Sequence, residues 1–576
     1  MKNLNLIVII VATSLSLHAT SSRYAFELIP DNLKTGADAV VRTEQMLFSA
    51  TGVGKATMKY KVAVTLLNEN ANYFRYREVH YDKFEKVNYV RASVYDEKGK
   101  LVKVIRSSEI FDMSAVAGGV LHSDARKKVI RFPLMKYPYT IEYEYETTIS
   151  SLINFPTWRF QDDPDVSVEK SGIQYIIPKN LKVKFKEVRM STKVDSVDMA
   201  DKMQYTWQVE NIPTVKTNAY GIPFEMGIPI LFAAPLEFSF DGYKGSNKSW
   251  QTLGEWSRKI IENRDVLSDA EIRKVKDLVK DIPNERDKVK AVYEYMQSRT
   301  RYVAIALGIG GLQPMLAMEV ENKGYGDCKA LTNYTMALLK AVGIKSHYTL
   351  VRSGSNIDID PNFVSDQFDH IILCVPQPND TIWLECTSQT LPFNHLSDFT
   401  SNRYVLLTTE VGGKIVRTPS FNIIENLYKR TGTISVDRIG NLTPATITEQ
   451  FSGLYYGNMH GFFSQQNEEE IKRVLNKSLS LPTFTVEKAE FIDNKSENPS
   501  AELSYKLNIR DFSTKTTNRI FFIPSLSKES YLLNEPFDVR IFDTQTSIDS
   551  VVFQLPVGYQ IEHLPQDKII ENEFGK

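Results

Sequence analysis

The residue best placed to do chemistry is Cys328, in the run Gly324-Tyr325-Gly326-Asp327-Cys328-Lys329, directly ahead of an amphipathic helical pattern. A thiol at a helix start experiences the helix's partial positive charge, which favours the thiolate that attacks carbonyl carbon. Backbone N–H groups at the same point could hold the carbonyl oxygen. A buried structural cysteine is the competing interpretation. The run therefore raises cysteine acyl transfer as the leading hypothesis.

A histidine base for this thiol is predicted at position 370. His370 opens the apolar run 371–375, just after the polar residues 366–369. His347 also begins a predicted strand, so the choice between them depends on what can orient the ring. A carboxylate on the adjoining strand would fix the tautomer and stabilise imidazolium.

That carboxylate is predicted from a hairpin count. If residues 376–380 form the turn, Val375 faces Thr381, and His370 lies opposite Glu385 or Cys386, depending on one residue of register. The predicted catalytic set is Cys328, His370 and Glu385. The alternative is a surface histidine with a solvated glutamate.

The remaining candidates have weaker support. Cys374 lies mid-strand in an apolar run and is predicted to be a core residue, and Cys386 is predicted to be structural because no helix start activates it. The glycine cluster at 307–314 lacks the Gly-Lys-Ser/Thr ending of a phosphate loop. Gln313 and Asp327 are the candidates for contacting an oxyanion or substrate. No metal-ligand spacing appears, so we expect neither a metal nor another cofactor.

The elements around these residues predict a multidomain fold. Short alternating strands over about 24–245 indicate an antiparallel β-sandwich domain, for which we take residues 20–245. Helices and then three strands, about 346–352, 370–375 and 381–384, give a central α+β domain over 246–417. Strands return over 418–576, with one helical interlude near 468–475, and predict a C-terminal β-domain.

Composition and the first residues bear on location and partners. The chain of 576 residues carries 69 basic and 70 acidic side chains, which gives no reason to expect nucleic acid as a partner. Residues 1–19 have the basic start, short apolar run and small final residue of a signal peptide. No other segment approaches about 18 uninterrupted apolar residues, so no integral membrane segment is expected. We predict an exported protein that is periplasmic, associated with the cell envelope, or secreted.

Four runs resemble the transglutaminase-like superfamily, in particular bacterial exported proteins with flanking DUF3857 and DUF3858-type β-domains. In order they are Arg301-Tyr302-Val303-Ala304-Ile305, Gly308-Ile309-Gly310-Gly311-Leu312-Gln313-Pro314, Tyr325-Gly326-Asp327-Cys328-Lys329 and Ala341-Val342-Gly343-Ile344. The resemblance implies a papain-like core with Cys328 as nucleophile, His370 as base and acid, and the carboxylate after Trp383-Leu384 as the orienting group. The superfamily usually has aspartate there, where this chain has Glu385. The family's C-terminal domain runs on past Lys576, so the chain is expected to be incomplete at that end.

Taken together, the residues and the resemblance predict an exported cysteine enzyme acting on peptide or glutamine-type amides of a peptide or protein substrate, and hydrolysing rather than cross-linking them. The alternative is a non-catalytic binding or assembly protein of the cell envelope that keeps the central domain as a scaffold. The sequence leaves the substrate and the oligomeric state open.

Overall fold

The computed structural model describes residues 23–115, 120–217, 221–354, 358–436, 442–479, 481, 483–524, 541–564 and 566–576. The predicted signal peptide over residues 1–19 lies outside them. Within the described ranges, no helix is both long and apolar enough to cross a membrane. The predicted fold class is confirmed, because a β-rich N-terminal part, a central α+β core and C-terminal β-sheets follow one another along the chain.

The N-terminal part is built mainly from strands. They are β1 Ala39–Gly52, β2 Lys55–Leu66, β3 Tyr76–Tyr81, β4 Glu85–Tyr95, β5 Leu101–Ile105, β6 Ile110–Ser114, β7 Val120–Ser123, β8 Arg126–Arg131, β9 Tyr139–Ile149, β10 Val166–Pro178, β11 Val183–Val188, β12 Asp195–Asp198, β13 Lys202–Ile212, β14 Ile230–Pro235, β15 Glu237–Phe240 and β16 Tyr243–Ser246. Short helices interrupt them at α1 Asp31–Lys34 and α2 Phe224–Gly227, with 3-10 turns at Phe26–Leu28, Glu69–Arg75 and Ser107–Glu109.

Eight of these strands form one large sheet in the order β12-β13-β10-β1-β2-β9-β4-β5. Met58, Val62 and Val64 of β2 alternate with the strand period and therefore share one face. One half of that face packs against Ile130 of β8, and the other half packs against Ala233 of β14. The sheet is not wholly antiparallel, because β1 and β10 run parallel. No hairpin joins these two strands, so their relative direction could not be deduced from turn signals.

The central part places helices first and a sheet second. Its elements are α3 Trp250–Ile261, α4 Asp269–Val279, α5 Glu285–Arg299, β17 Arg301–Tyr302, β18 Ala304–Ala306, a 3-10 turn at Gly308–Gly311, α6 Ala317–Lys323, β19 Tyr325–Gly326, α7 Cys328–Ala341, β20 His347–Val351, β21 His370–Pro376, β22 Thr381–Leu384, β23 Tyr404–Thr409 and β24 Gly412–Arg417. The sheet has five antiparallel strands in the order β22-β21-β20-β23-β24, two more than the sequence indicated.

Helix α7 is the central element of this core. Leu331, Tyr334 and Leu338 follow the predicted helical face and are fully buried. They share one hydrophobic cluster with residues of α5 and with Leu373 and Val375 of β21. The N-terminus of α7 is thereby fixed relative to the start of β21.

Helix α3 covers the same sheet near β24. A Cβ atom added to Gly254 would lie 2.1 Å from the Cα atom of Gly413, so the two backbones meet where neither residue has a side chain. This close approach sets Trp256 and Ile260 of α3 against the sheet.

The C-terminal part is a second β-rich unit. Its elements are β25 Leu427–Ser435, β26 Leu442–Ser452, α8 Gly453–Phe463, α9 Glu468–Ser478, β27 Phe484–Asn494, β28 Ser500–Arg510, β29 Ser513–Lys515, β30 Ile520–Phe522 and β31 Thr546–Gln554. Five strands form a sheet in the order β27-β28-β26-β25-β31. The predicted helical interlude is α9, and α8 had no sequence signal. The predicted division after residue 245 falls within β16, and the division after residue 417 coincides with the end of β24.

Candidate active site

Cys328 is the first residue of α7, with Asp327 as its N-cap. The turn into the helix depends on two glycines. Gly324 ends α6 in the left-handed conformation at φ +67°, and a Cβ on Gly326 would lie 2.6 Å from the Cβ of Ala330. The first N–H groups of a helix have no acceptor within it, so the N-terminus of α7 offers backbone donors next to the sulfur.

His370 and Glu385 form a buried pair. The imidazole Nε2 lies 2.9 Å from Glu385 Oε2, and the two residues are 8% and 6% exposed. Thr387 holds the other carboxylate oxygen through its hydroxyl at 2.6 Å and its backbone N–H at 3.1 Å. Both oxygens of Glu385 are therefore fixed, and the ring of His370 is oriented by the first of them.

The register of the hairpin explains why Glu385 rather than Cys386 meets the histidine. Cys374 pairs with Trp383, so these two side chains share a face, and steps of two residues carry that face to His370 and to Glu385. Cys386 lies on the other face in the hydrophobic core under α7. The predicted turn was wrong by one residue, because Val375 pairs with Ile382 and not with Thr381.

Cys328 lies beside the imidazole and lines the same small cavity. Nε2 is engaged by Glu385, which leaves Nδ1 for the sulfur. Burial lowers the pKa of His370, but the charge of Glu385 and the neighbouring Cys328 thiol outweigh burial and raise the pKa to about 10. Contact with His370 lowers the pKa of Glu385 against the effect of burial. These influences favour the imidazolium form of His370 at neutral pH, between the Glu385 carboxylate and the Cys328 sulfur.

The structure brings together all three predicted catalytic residues, whose roles remain a proposal. The roles of the two predicted binding residues stay a prediction, and their side chains contact other parts of the protein. Gln313 is buried, its amide N–H donates to Ile260 O at 2.9 Å, and its carbonyl accepts from Arg264. Asp327 accepts from the N–H of Ala330 at 2.9 Å and pairs with Lys329 at 2.5 Å, so it caps α7. Both side chains are already engaged within the protein.

Two further residues contact the site. Phe399 packs edge-on against the His370 ring at a centroid distance of 5.2 Å, and it is 42% exposed, so it covers the histidine from the solvent side. Asn154, from the N-terminal part, makes two hydrogen bonds to the backbone of Asp366, which precedes His370. Its Nδ2 donates to Asp366 O at 2.5 Å, and its Oδ1 accepts from Asp366 N at 3.2 Å. The loop that leads into β21 is thus held by contacts from the N-terminal part as well as from the central part.

The C-terminal part holds the loop that follows Glu385. His460 of α8 is 2% exposed; its Nδ1 lies 3.0 Å from Asp493 Oδ2 and its Nε2 lies 3.0 Å from the Thr390 hydroxyl. Burial lowers the pKa of His460 despite Asp493, so the ring is neutral at pH 7. A neutral ring with its proton on Nδ1 accepts the Thr390 hydroxyl at Nε2.

Replacing Thr390 with valine is expected to lower the free energy of unfolding by about 1–3 kcal/mol, because a buried imidazole nitrogen loses the hydroxyl that donates to it. Chemical denaturation at pH 7 measures this change in the free energy of unfolding. Thr431→Val is the matched control, since it removes an exposed hydroxyl from β25. Equal losses in both variants would show that the contact with His460 contributes nothing.

The described residues contain no group of three or more His, Cys, Asp or Glu side chains placed to hold a metal ion. All three cysteines of the chain are unpaired and buried.

Comparison with known families agrees with this geometry. A family model described as the transglutaminase-like superfamily matches residues 273–390, and another, described as a domain of unknown function with a solved structure (DUF3857), matches residues 53–216. The chain contains a DUF3857 domain and a transglutaminase-like domain. The three residues Cys328, His370 and Glu385 all lie within the transglutaminase-like match. Neither model reaches the C-terminal part, so its predicted DUF3858 type stays a prediction.

A solved structure shares the fold. A candidate protease from Parabacteroides distasonis aligns over 84% of this chain and 94% of its own, with a TM-score of 0.53 and 13% identity. At that identity the likeness concerns the fold alone. A candidate cysteine protease from Cytophaga hutchinsonii aligns over 58% of this chain and 78% of its own at 10% identity, but with a TM-score of 0.16 it carries no argument. No curated protein sequence matches the chain significantly.

Proposed function

We propose that this protein is an exported cysteine enzyme that cleaves peptide or glutamine-type amides through a thioester on Cys328. The buried His370–Glu385 pair, set beside a cysteine at a helix N-terminus, is the observation that carries the proposal. Burying such a pair is unfavourable unless the charges serve each other or a reaction, and its place beside a cysteine at a helix start favours a reaction over a scaffold role.

The reaction follows from the arrangement. The Cys328 sulfur attacks the carbonyl carbon, a C–S bond forms, and the carbonyl oxygen becomes an oxyanion facing the N-terminus of α7. When the C–N bond breaks, the imidazolium of His370 donates its proton to the leaving nitrogen. His370 then takes a proton from water, whose oxygen attacks the thioester; the C–S bond breaks, the carboxylic acid leaves, and the sulfur anion is again beside the imidazolium of His370. Glu385 keeps the ring in place and stabilises its charged form throughout.

Hydrolysis is the proposed fate of the thioester. Water reaches an exported enzyme without a dedicated site, whereas cross-linking requires a site for an acceptor amine next to the thioester. Export is proposed from the signal-like residues 1–19. A glutamine-containing peptide incubated with and without methylamine separates the two fates: hydrolysis yields glutamate in both samples, and cross-linking yields the N-methyl amide in one.

We expect iodoacetamide to alkylate Cys328 of the purified protein far faster than Cys374 or Cys386 at pH 7. The reason is the paired histidine, which only Cys328 has. Mass-spectrometric mapping of the modified cysteine over time measures the three rates.

The control for this experiment is His370→Ala, which should slow alkylation of Cys328 by about 10- to 100-fold and leave the other two rates unchanged. Slow, equal labelling of all three cysteines in the wild type would overturn the proposal and leave the scaffold interpretation.

A further inference from the structure

Tyr348 has a buried hydroxyl that no described residue binds. The residue lies in β20, opposite Leu373 of β21, and is 2% exposed. Its hydroxyl is buried and has no hydrogen-bond partner among the described residues. A buried hydroxyl without a partner destabilises a protein, and phenylalanine would fill the same space without that cost. Among the described residues nothing binds the hydroxyl, which leaves it available to a bound molecule.

The position of the ring indicates where that partner binds. Tyr348 packs with Cys328 and Ile371 in one cluster. It also lines a cavity of about 90 Å³ that Cys328 and His370 share. The other walls are mainly apolar and come from α3, the turn before α6 and the loop before β21, through Trp256, Ile260, Leu312 and Phe368. A polar group in this cavity would find the Tyr348 hydroxyl next to the reactive sulfur.

The hydroxyl can act only as a neutral hydrogen-bonding group. Burial, and then the nearby Cys328 and Asp327, raise the pKa of Tyr348 well above its usual value. The phenol keeps its proton over the whole working range of pH, which suits a donor to a developing negative charge and does not suit a base.

We propose that the Tyr348 hydroxyl donates a hydrogen bond to the acyl oxygen of a short acyl group bound in this cavity, as a second oxyanion donor beside the N-terminus of α7. The inference rests on the proposed thioester chemistry at Cys328. As the C–S bond forms, the electron pair of the C=O π bond moves onto oxygen, and the O–H of Tyr348 stabilises it without transferring its proton. The cavity admits only a few heavy atoms, so the acyl group that enters it is small.

The test compares two reactions of the same sulfur in Tyr348→Phe. Acylation by p-nitrophenyl acetate, followed as the release of p-nitrophenolate, passes through an oxyanion. Alkylation by iodoacetamide is a displacement at saturated carbon and forms none. We expect acylation to slow by about 10²- to 10³-fold, as for the loss of one oxyanion donor. Alkylation of Cys328 should stay within about two-fold of the wild type, and the melting temperature should be equal or higher, because an unsatisfied buried hydroxyl is gone.

Tyr139→Phe is the matched control, since it removes a buried tyrosine hydroxyl from the N-terminal domain, remote from Cys328. Its acylation rate should equal that of the wild type. If the wild type is acylated and Tyr348→Phe is acylated equally fast, the inference is wrong and the proposed function stands. If both reactions slow to the same extent, the hydroxyl positions the sulfur and is not an oxyanion donor. If the wild type undergoes neither reaction at Cys328, the proposed function itself fails.

Discussion

Replacing Cys328 with alanine is expected to abolish acyl transfer and leave the protein folded. The sulfur is the only atom of the triad that forms a bond to the acyl group, so its loss should reduce the rate of p-nitrophenyl acetate acylation by about 10⁴-fold or more. The side chain is 8% exposed and small, so the free energy of unfolding should change by only about 1 kcal/mol. The acylation rate and a denaturation curve, measured on the same preparation, check both statements.

The controls for this variant are Cys374→Ala and Cys386→Ala. Burial raises the pKa of each of these thiols to about 12, so both are protonated at neutral pH. Neither pairs with His370, and both variants should keep the wild-type rate. If folded Cys386→Ala lost activity and Cys328→Ala kept it, the nucleophile would be Cys386 and not Cys328.

The spacing of residues in the sequence was sufficient to name the His370–Glu385 pair, but it did not fix the register of the two strands that carry the pair. The hairpin count left Glu385 and Cys386 open, because it depended on one residue of register. In the structure Pro376 is the last residue of β21 and pairs with Thr381, and the strict alternation of side chains then selects Glu385.

The residues that support the site could be predicted less well. Thr387 follows Glu385 by two positions, a spacing at which a hydroxyl and an N–H commonly reach one carboxylate, so it had a local signal. Phe399, Asn154 and His460 had no such signal in the sequence. Each belongs to a segment that is distant along the chain and lies near the site only after folding. Helix α8, which carries His460, is rich in glycine and aromatic residues without a helical period, and packing on the C-terminal sheet decides its conformation.

Replacing Glu385 with glutamine is expected to slow acylation by roughly 10²- to 10⁴-fold at pH 7 while the nucleophile remains in place. Glutamine has the shape of glutamate without its charge. The charge of Glu385 is the main influence that raises the pKa of His370 to about 10 against burial, so we expect its loss to shift the ring toward the neutral form at pH 7. A neutral imidazole has no proton to give the leaving group at the nitrogen that faces the sulfur. The matched variant is Glu385→Asp, which keeps the carboxylate and should retain more activity than glutamine does.

The His370–Glu385 pair also makes the stability of the wild type depend on pH in a way that the Glu385→Gln variant should not share. The pKa of His370 is raised from 6.5 to about 10 on folding, so the pair contributes its full stability below pH 6.5 and loses it as the pH rises toward 10. Glu385→Gln removes this contribution, which for a buried pair is on the order of 3 kcal/mol. Unfolding free energies measured from pH 6 to 10 should therefore show wild type and variant well apart at pH 6 and converging by pH 10. A constant difference across this range would mean that His370 is not held in its charged form by Glu385, and the assignment of Glu385 to the triad would then be wrong.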